Sequence, residues 1–170
     1  VVMGVLNVTP DSFSDGGRYA NRDTALRQGE RLAAEGADIL DVGGESTRPG
    51  SSGVSVQEEI DRVAPVIEAL AARLALPISV DTSKPEVMRA AVTAGAGLIN
   101  DVQALRRPGA MTTAAELAVP VCLMHMRGTP ASMQEAPAYA DPVAEVADFL
   151  RERVRVCKGA GIPRQRLILD

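Results

Sequence analysis

Six short apolar runs in this 170-residue chain each end in side chains that could bind a small polar ligand. The residues that follow the runs are Asn7, Asp41 to Glu45, Asp81, Asn100 with Asp101, Met124 to Met126, and Asp170. Where parallel strands end at one edge of a sheet, side chains of this kind converge on a single site. The pattern therefore predicts a ligand site at one rim of a parallel β/α structure.

A long polar segment, residues 7–17, follows the first apolar run and ends in two adjacent glycines. Taken alone, this composition slightly favours an ordinary loop with turn residues. The alternative is an active-site lid, because long connections on the rim of a barrel usually serve function. In that case Asn7 would offer a hard carbonyl oxygen to Mg²⁺ from a rigid strand end.

Residues 43–50 (GGESTRPG) follow the second run and combine several features of an anion site. The two glycines let the backbone approach a ligand closely. Ser46 and Thr47 supply hydroxyls, and the guanidinium of Arg48 matches phosphate oxygens. A solvated turn with a surface arginine is the simpler interpretation, but this density of features favours phosphate binding. Neither a Walker motif nor G-x-G-x-x-G is present.

Asp81 directly follows an apolar run, and a buried carboxylate is costly unless it is paired. It could cap the next helix, although Ser83 can take that role. The alternative partner is a neutral heterocycle with adjacent N–H donors. Asn100 could add a donor and an acceptor beside Asp81, and Asp170 could add a second carboxylate. Together they would bind the edge of a pterin or purine.

Three other polar or sulfur-containing positions are weaker candidates. A structural role for Asp101 is as well supported by the sequence as a ligand-binding role. His125 is the single histidine of the chain, which makes a zinc site or a catalytic base improbable and a packing role more natural. Met124 is more typical of a core than of a ligand contact, although a flat ring can rest on a methionine.

Strand-like and helix-like segments alternate along the whole chain, giving five β–α repeats and a final strand. Helices are predicted at about residues 23–35, 55–74, 85–95, 108–117 and 141–159, with start signals at Ser55 to Glu58, Pro85 and Asp141-Pro142. This alternation fits a doubly wound sheet or an eight-stranded barrel. Because every strand end carries polar residues, we predict an α/β fold, a (β/α)₈ TIM barrel. The chain would supply about its first six strands and five helices, as a partial domain over residues 1–170, truncated at both ends.

Composition excludes several classes of partner. A net charge of -4 and a pI near 5.1 give no sign of nucleic-acid binding. No apolar run approaches the length of a membrane span, and no basic segment precedes the first run. Aromatic residues make up only 2% of the chain, too few for stacking platforms. We therefore expect a cytoplasmic protein with no nucleic-acid or membrane partner.

Five ordered stretches, NVTPDSFSDGG, DVGGESTRPG, SVDTSKPEV, IND and PVCLMHMRGTP, together closely resemble the dihydropteroate synthase family. The resemblance covers essentially the whole chain and implies a pterin-binding (β/α)₈ barrel of folate biosynthesis. It implies that 6-hydroxymethyl-7,8-dihydropterin pyrophosphate is joined to p-aminobenzoate, for which sulfonamides are analogues. The products would be 7,8-dihydropteroate and pyrophosphate, and the cofactor Mg²⁺.

The resemblance also implies roles for individual residues. Asn7 would bind Mg²⁺ and pyrophosphate, with Thr47 and Arg48 at the pterin and its pyrophosphate. Phe13 and Pro49 would form walls of the p-aminobenzoate pocket. Asp15 would steady a cationic pterin intermediate, which makes the catalytic group Asn7, Asp15 and Arg48. The residues expected to hold the pterin ring are Asp81, Asn100, Met124 and Asp170.

The family's later motifs, a glycine-rich loop, a pterin-contacting lysine, a Ser-x-x-Arg stretch and an Arg-x-His, would lie beyond Asp170. We therefore expect these 170 residues alone to be inactive and poorly soluble, and the full-length parent to be an active homodimer. One rival interpretation is a folate-dependent methyltransferase barrel, but NVTPDSF and GESTRPG disfavour it because that reaction handles no pyrophosphate. The other rival is a non-catalytic pterin-binding fragment.

Overall fold

The computed structural model of this chain describes residues 1–9, 17–45, 53–126 and 139–170, with backbone only for residues 17–21. Its strands form a single parallel sheet in which each strand pairs with the next one in sequence. The strands are β1 (Met3–Asn7), β2 (Ile39–Gly43), β3 (Ile78–Asp81), β4 (Leu98–Asp101), β5 (Val121–Leu123) and β6 (Leu167–Leu169).

The strand order decides between the two predicted architectures. A doubly wound sheet reverses its strand order at a switch point, whereas the strands of a barrel follow one another in sequence. Here the order is β1-β2-β3-β4-β5-β6 without a reversal. The prediction of an α/β fold with six strands and five helices of a (β/α)₈ TIM barrel is confirmed.

The five predicted helices are all present among the described residues. They are α1 (Gly17–Ala34), α2 (Val56–Ala71), α3 (Pro85–Thr93), α4 (Ala110–Leu117) and α5 (Pro142–Gly159). The main difference from the sequence prediction is that α1 begins at Gly17, six residues before the predicted start at Asp23. Residues 17–22 (GRYANR) carry no helical apolar spacing that could have revealed this first turn.

The signals for helix starts correspond to real caps at two of three helices. The Ser55 hydroxyl accepts a hydrogen bond from the Glu58 amide at 3.2 Å, and the Asp141 carboxylate accepts one from the Ala144 amide at 3.0 Å. At α3 the expected cap was wrong. The N-cap residue is Lys84, which makes no side-chain cap, and the Ser83 hydroxyl donates to Asp101 instead.

Alternation along the strands gives the sheet two different faces. One face packs its apolar side chains against the helices, of which α1 to α4 lie side by side in chain order. The opposite face, called the inner face below, carries the polar strand-end residues other than Asp101. The large side chains buried on the helix side include Leu6, Leu40, Ile67, Leu70, Ile78, Met88 and Ile99. None of the helices in the described ranges combines the length and the apolar character that crossing a membrane requires.

Candidate functional site

A single row of residues crosses the inner face where the first four strands end. Parallel pairing sets Asn7 opposite Gly43, Gly43 opposite Asp81, and Asp81 opposite Asn100. Side chains at matching positions of neighbouring strands point to the same face of a sheet. The fold therefore brings together three of the residues that were predicted from the sequence to form one site.

Gly43 leaves a gap in the middle of this row. A Cβ atom at this position would lie 3.5 Å from Asn7 Oδ1 and 3.5 Å from Asp81 Oδ2. Any longer side chain would fill the space between the amide and the carboxylate. The absence of a side chain keeps both oxygens accessible to a ligand that approaches the backbone closely.

Asp81 carries the one carboxylate of this row. Its side chain is half-buried and makes no hydrogen bond to any other described residue. Burial raises the pKa of Asp81 to about 7, and repulsion by the neighbouring carboxylates, Asp41 first among them, adds to the shift. The group thus changes charge near neutral pH, and its acceptor capacity remains free for a ligand.

Asn100 is held in a fixed orientation by Asp41, which stands among the polar positions of the second apolar run but was given no role in the predicted site. Its Nδ2 donates to Asp41 Oδ2 at 2.9 Å. Since an ionised carboxylate only accepts hydrogen bonds, the amide nitrogen must face Asp41. The Asn100 carbonyl oxygen is then left to accept a bond from a ligand. We expected Asn100 to offer a ligand both a donor and an acceptor. Because its amide nitrogen is bonded to Asp41, it offers chiefly the acceptor, its carbonyl oxygen.

Asp41 itself is a buried carboxylate with an unusual environment. Burial raises its pKa, and the hydrogen bond from the Asn100 amide opposes that shift. Within the described part of the chain, Asp41 Oδ1 and the buried Ser79 hydroxyl have no hydrogen-bond partner. A carboxylate inside the apolar run 39–42 was the one signal in the sequence that could have identified Asp41 as a positioning residue.

Asp170 and Met124 lie side by side at the other end of the inner face. The Asp170 amide donates to the Leu123 carbonyl at 3.0 Å, and the His125 amide donates to the Asp170 carbonyl at 3.1 Å. These bonds extend the ladder of β5 and β6 and set Asp170 beside Met124. Burial raises the pKa of the nearby Cys122 thiol to about 11, and the charges of Asp170 and Asp41 add to the shift. That thiol is therefore protonated and unreactive at neutral pH.

Asp101 has a structural role. Its buried carboxylate accepts hydrogen bonds from the Ser83 hydroxyl, from the Gln103 amide at 2.8 Å and from the Leu105 amide at 2.8 Å. These donors hold a tight turn in which Ala104 and Leu105 both adopt positive φ, at 52° and 57°. Such a backbone is strained for residues other than glycine and persists only where its surroundings enforce it.

His125 packs against aromatic side chains, in line with the role expected for it. Its ring lies edge-on to Phe149 with the centroids 5.0 Å apart, and 6.0 Å from the ring of Tyr139. The Arg106 guanidinium lies over the ring of Phe149, 5.4 Å from its centroid. This cluster joins the residues after β5 to helix α5.

The remaining predicted site residues lie outside the described part of the chain. They are Phe13, Asp15, Thr47, Arg48 and Pro49. Their assigned roles at the pyrophosphate and in the p-aminobenzoate pocket stay predictions. Across the described ranges, no group of three or more His, Cys, Asp or Glu side chains is arranged to hold a metal ion.

Comparison with known proteins gives one consistent picture. The family model described as "Pterin binding enzyme" matches residues 3–170. The chain is 54% identical over 169 residues to dihydropteroate synthase of Escherichia coli strain K12, covering 99% of this chain and 60% of that protein. It thus spans about 60% of the length of the curated relative.

Two solved structures have the same fold. Xanthomonas albilineans dihydropteroate synthase with 4-aminobenzoic acid superimposes with a TM-score of 0.92 at 62% identity, covering 99% of this chain and 60% of that one. Yersinia pestis dihydropteroate synthase in a sulfonamide drug complex gives a TM-score of 0.93 at 52% identity, covering 99% and 62%.

Proposed function

This chain belongs to the pterin binding enzyme family, and on that premise we propose that its full-length protein is a dihydropteroate synthase of folate biosynthesis. The reaction would join 6-hydroxymethyl-7,8-dihydropterin pyrophosphate to p-aminobenzoate, giving 7,8-dihydropteroate and pyrophosphate. The observation that carries the proposal is the row of open acceptors on the inner face, Asp81 and the Asn100 carbonyl beside the gap at Gly43.

The proposed pterin site uses acceptors to bind a ring rich in donors. Asp81 would accept from adjacent N–H groups of the pterin, and Asn100 would accept through the oxygen that its bond to Asp41 leaves free. Asp170 would supply a second carboxylate, while Met124 would pack beside the ring. A buried acceptor that loses its donor is costly, and this penalty gives the site its preference for such a ring.

The proposed leaving-group site lies at the β1 and β2 ends. The Asn7 amide is exposed, and its side chain makes no hydrogen bond to another described residue. A single protein oxygen suits Mg²⁺ bound mainly by water and substrate phosphates, which needs no cage of carboxylates. The ion would neutralise charge developing on the pyrophosphate. Thr47 and Arg48 would hold the same group through a hydroxyl and a bidentate guanidinium.

The second substrate would enter beside the first. Phe13 and Pro49 are proposed walls of the p-aminobenzoate pocket, where sulfonamides would compete, and Asp15 would steady the positive charge of the pterin intermediate. The C–O bond to the pyrophosphate breaks first, leaving a delocalised pterin cation. The aniline nitrogen then attacks the exocyclic carbon, forming the C–N bond, and loses one proton to water. An electrophile of this kind needs no strong general base, which agrees with a chain whose one histidine is engaged in packing.

The direct test is to incubate the full-length protein with the pterin pyrophosphate, p-aminobenzoate and Mg²⁺ and to measure pyrophosphate release. We expect release that depends on p-aminobenzoate, together with formation of dihydropteroate. Pterin binding without pyrophosphate release would contradict a synthase and favour a non-catalytic pterin-binding protein. Methyl transfer from a folate in place of this reaction would identify the rival methyltransferase barrel.

A further inference from the structure

A buried cluster of charged side chains begins three residues after Asp81. Lys84 Nζ donates to Glu45 Oε2 at 2.6 Å, to Glu59 Oε2 at 2.5 Å and to the Val54 carbonyl at 2.8 Å. An ammonium group has three donors, so all of them are used. The Lys84 side chain is only 6% exposed. This cation therefore serves the protein itself rather than a ligand.

The cluster closes on itself through Thr82. The second oxygen of Glu59 accepts from the Thr82 hydroxyl at 2.6 Å, and the same hydroxyl oxygen accepts from the Lys84 amide at 3.2 Å. Burial lowers the pKa of Lys84, but its hydrogen bonds to Glu45 and Glu59 outweigh that effect and raise the pKa overall. Lys84 thus stays charged, and two carboxylates depend on it for their compensation.

The partners of Lys84 lie on both sides of residues 46–52. Glu45 comes immediately before that segment, and Val54 lies two residues after it. The two ends also lie close together, because a Cβ on Gly53 would lie 3.3 Å from Glu45 Oε1. Arg62 supports the first end by donating to the Gly44 carbonyl at 2.8 Å. One buried ammonium group therefore holds both ends of the connection between β2 and α2.

We infer that Lys84 is a positioning residue for the phosphate-binding segment, fixing the two points between which residues 46–52 run. This inference rests on the proposed function, in which Thr47 and Arg48 of that segment bind the pyrophosphate. Lys84 acts through Glu45 and the Val54 carbonyl. Fixing both ends in advance reduces the ordering cost of pyrophosphate binding. The side chains of Asp81 and Asn100 make no hydrogen bond to this anchor within the described residues, and, besides burial, Glu59 and Glu45 act on Asp81 as neighbouring charges that help to raise its pKa.

The test compares two ligands in the full-length protein: the pterin pyrophosphate and 6-hydroxymethyl-7,8-dihydropterin, which lacks the pyrophosphate. Glu45→Ala removes one anchor and leaves the buried Lys84–Glu59 pair intact. We expect affinity for the pyrophosphate ligand to fall by about tenfold or more, because small misplacements of binding groups are costly. Affinity for the ring alone, measured at pH 8 where Asp81 is already mostly ionised, should stay within about twofold. Glu45→Gln, which keeps an acceptor for Lys84, should restore most of the loss.

A second variant tests Lys84 itself. Lys84→Met combined with Glu59→Gln removes the ammonium without leaving the buried Glu59 carboxylate uncompensated. We expect it to show the same selective loss. A matched control is Glu116→Ala, which breaks the ion pair between Glu116 and Arg89. This pair has the same length as the Lys84–Glu59 pair, 2.5 Å, but its two side chains are half exposed. This control should leave both affinities within about twofold of the unsubstituted protein.

The outcomes separate this inference from the proposed function. If Glu45→Ala weakens both ligands equally, or neither, Lys84 does not position the phosphate-binding segment. If the unsubstituted protein binds neither ligand, the proposed function fails and this inference fails with it. A selective loss in both variants, with rescue by Glu45→Gln, establishes the positioning role.

Discussion

Asp81 and Asp101 are carboxylates at the ends of neighbouring strands, and burial raises the pKa of both, yet their surroundings are opposite. Asp101 accepts from one hydroxyl and two backbone amides. The Asp81 carboxylate accepts from none of the described residues, and its pKa rises to about 7. A buried carboxylate without partners is costly to a fold. The difference indicates that Asp101 stabilises a turn, whereas the Asp81 carboxylate is left open to a ligand.

The alternation of the strands explains how such neighbours separate. Asp101 lies one residue beyond Asn100, so its side chain points to the opposite face of the sheet. That face meets the helices and the turn after β4, where donors are plentiful. Asp81 points to the inner face, where Gly43 leaves a gap and Asn7 provides a second open oxygen.

The largest effect should come from removing the open carboxylate. In the full-length protein, Asp81→Ala should weaken binding of 6-hydroxymethyl-7,8-dihydropterin by about 100-fold, because donors of the ring lose their buried acceptor. Isothermal titration calorimetry measures this directly. The folded state should not lose stability, since no intramolecular bond is broken. Unchanged affinity would show that the pterin site has been assigned to the wrong residues.

The satisfied carboxylate should behave in the opposite way. Asp101→Ala should lower the free energy of unfolding by about 2–3 kcal/mol, because it leaves three donors near a strained turn without an acceptor. Urea denaturation measures the change. Asp148→Ala, which removes a surface ion pair with Arg151, is the control and should change stability by less than about 0.5 kcal/mol. If Asp101→Ala cost no more stability than Asp148→Ala, the Asp101 carboxylate would not stabilise the turn, and its contrast with Asp81 would be wrong.

A pH titration should sharpen the comparison further. With a pKa of about 7, Asp81 is mostly ionised at pH 8 and mostly protonated at pH 6. Binding of 6-hydroxymethyl-7,8-dihydropterin should weaken by about tenfold over that interval as the acceptor is lost. Asp81→Asn should flatten the profile. A profile that is the same in both proteins would mean that another group controls binding.

The same pKa has a consequence of the opposite sign for stability. The folded state holds a proton on Asp81 between about pH 4 and pH 7, where the unfolded chain has released it. This contribution to stability is therefore complete at low pH and is lost as the pH rises toward 7. Denaturation without ligand should show Asp81→Asn gaining stability relative to the unsubstituted protein as the pH rises through this window.

The smallest effect should come from Ser83. Ser83→Ala removes one of the three donors to Asp101 and should cost about 1 kcal/mol, less than Asp101→Ala, because the two amide bonds remain. In a protein that already carries Asp101→Ala, the same substitution should cost almost nothing. Additive costs measured by urea denaturation would show that Ser83 stabilises the fold by another route.

Several elements could be predicted because their physical causes are local. Five helices and six strands follow from apolar spacing, and the caps at Ser55 and Asp141 follow from side chains that reach their own backbone. The barrel was also predictable, because polar residues end every strand. The start of α1 could not be predicted, since residues 17–22 have no helical apolar pattern and extend a helix whose sequence signal begins later.

The partners of Lys84 and Asp41 could not be predicted from the sequence, although a carboxylate inside an apolar run marked Asp41 as unusual. Lys84 is typical of a surface residue until the fold surrounds it with Glu45 and Glu59, which are 39 and 25 positions away. Asp41 and Asn100 meet across 59 positions of the chain. Contacts of this kind depend on register and strand order, and no short-range pattern reports them.

The sequence by itself determined the chemical types at the strand ends, the element order and the family resemblance, because these depend on composition and on spacing along the chain. Only the tertiary structure decided which carboxylate is open and which is satisfied. It also decided that Asn100 is oriented by Asp41 and that Lys84 holds both ends of residues 46–52. The physical reason is that the free energy of a buried charge depends on the donors around it, and distant parts of the chain supply those donors only once it has folded.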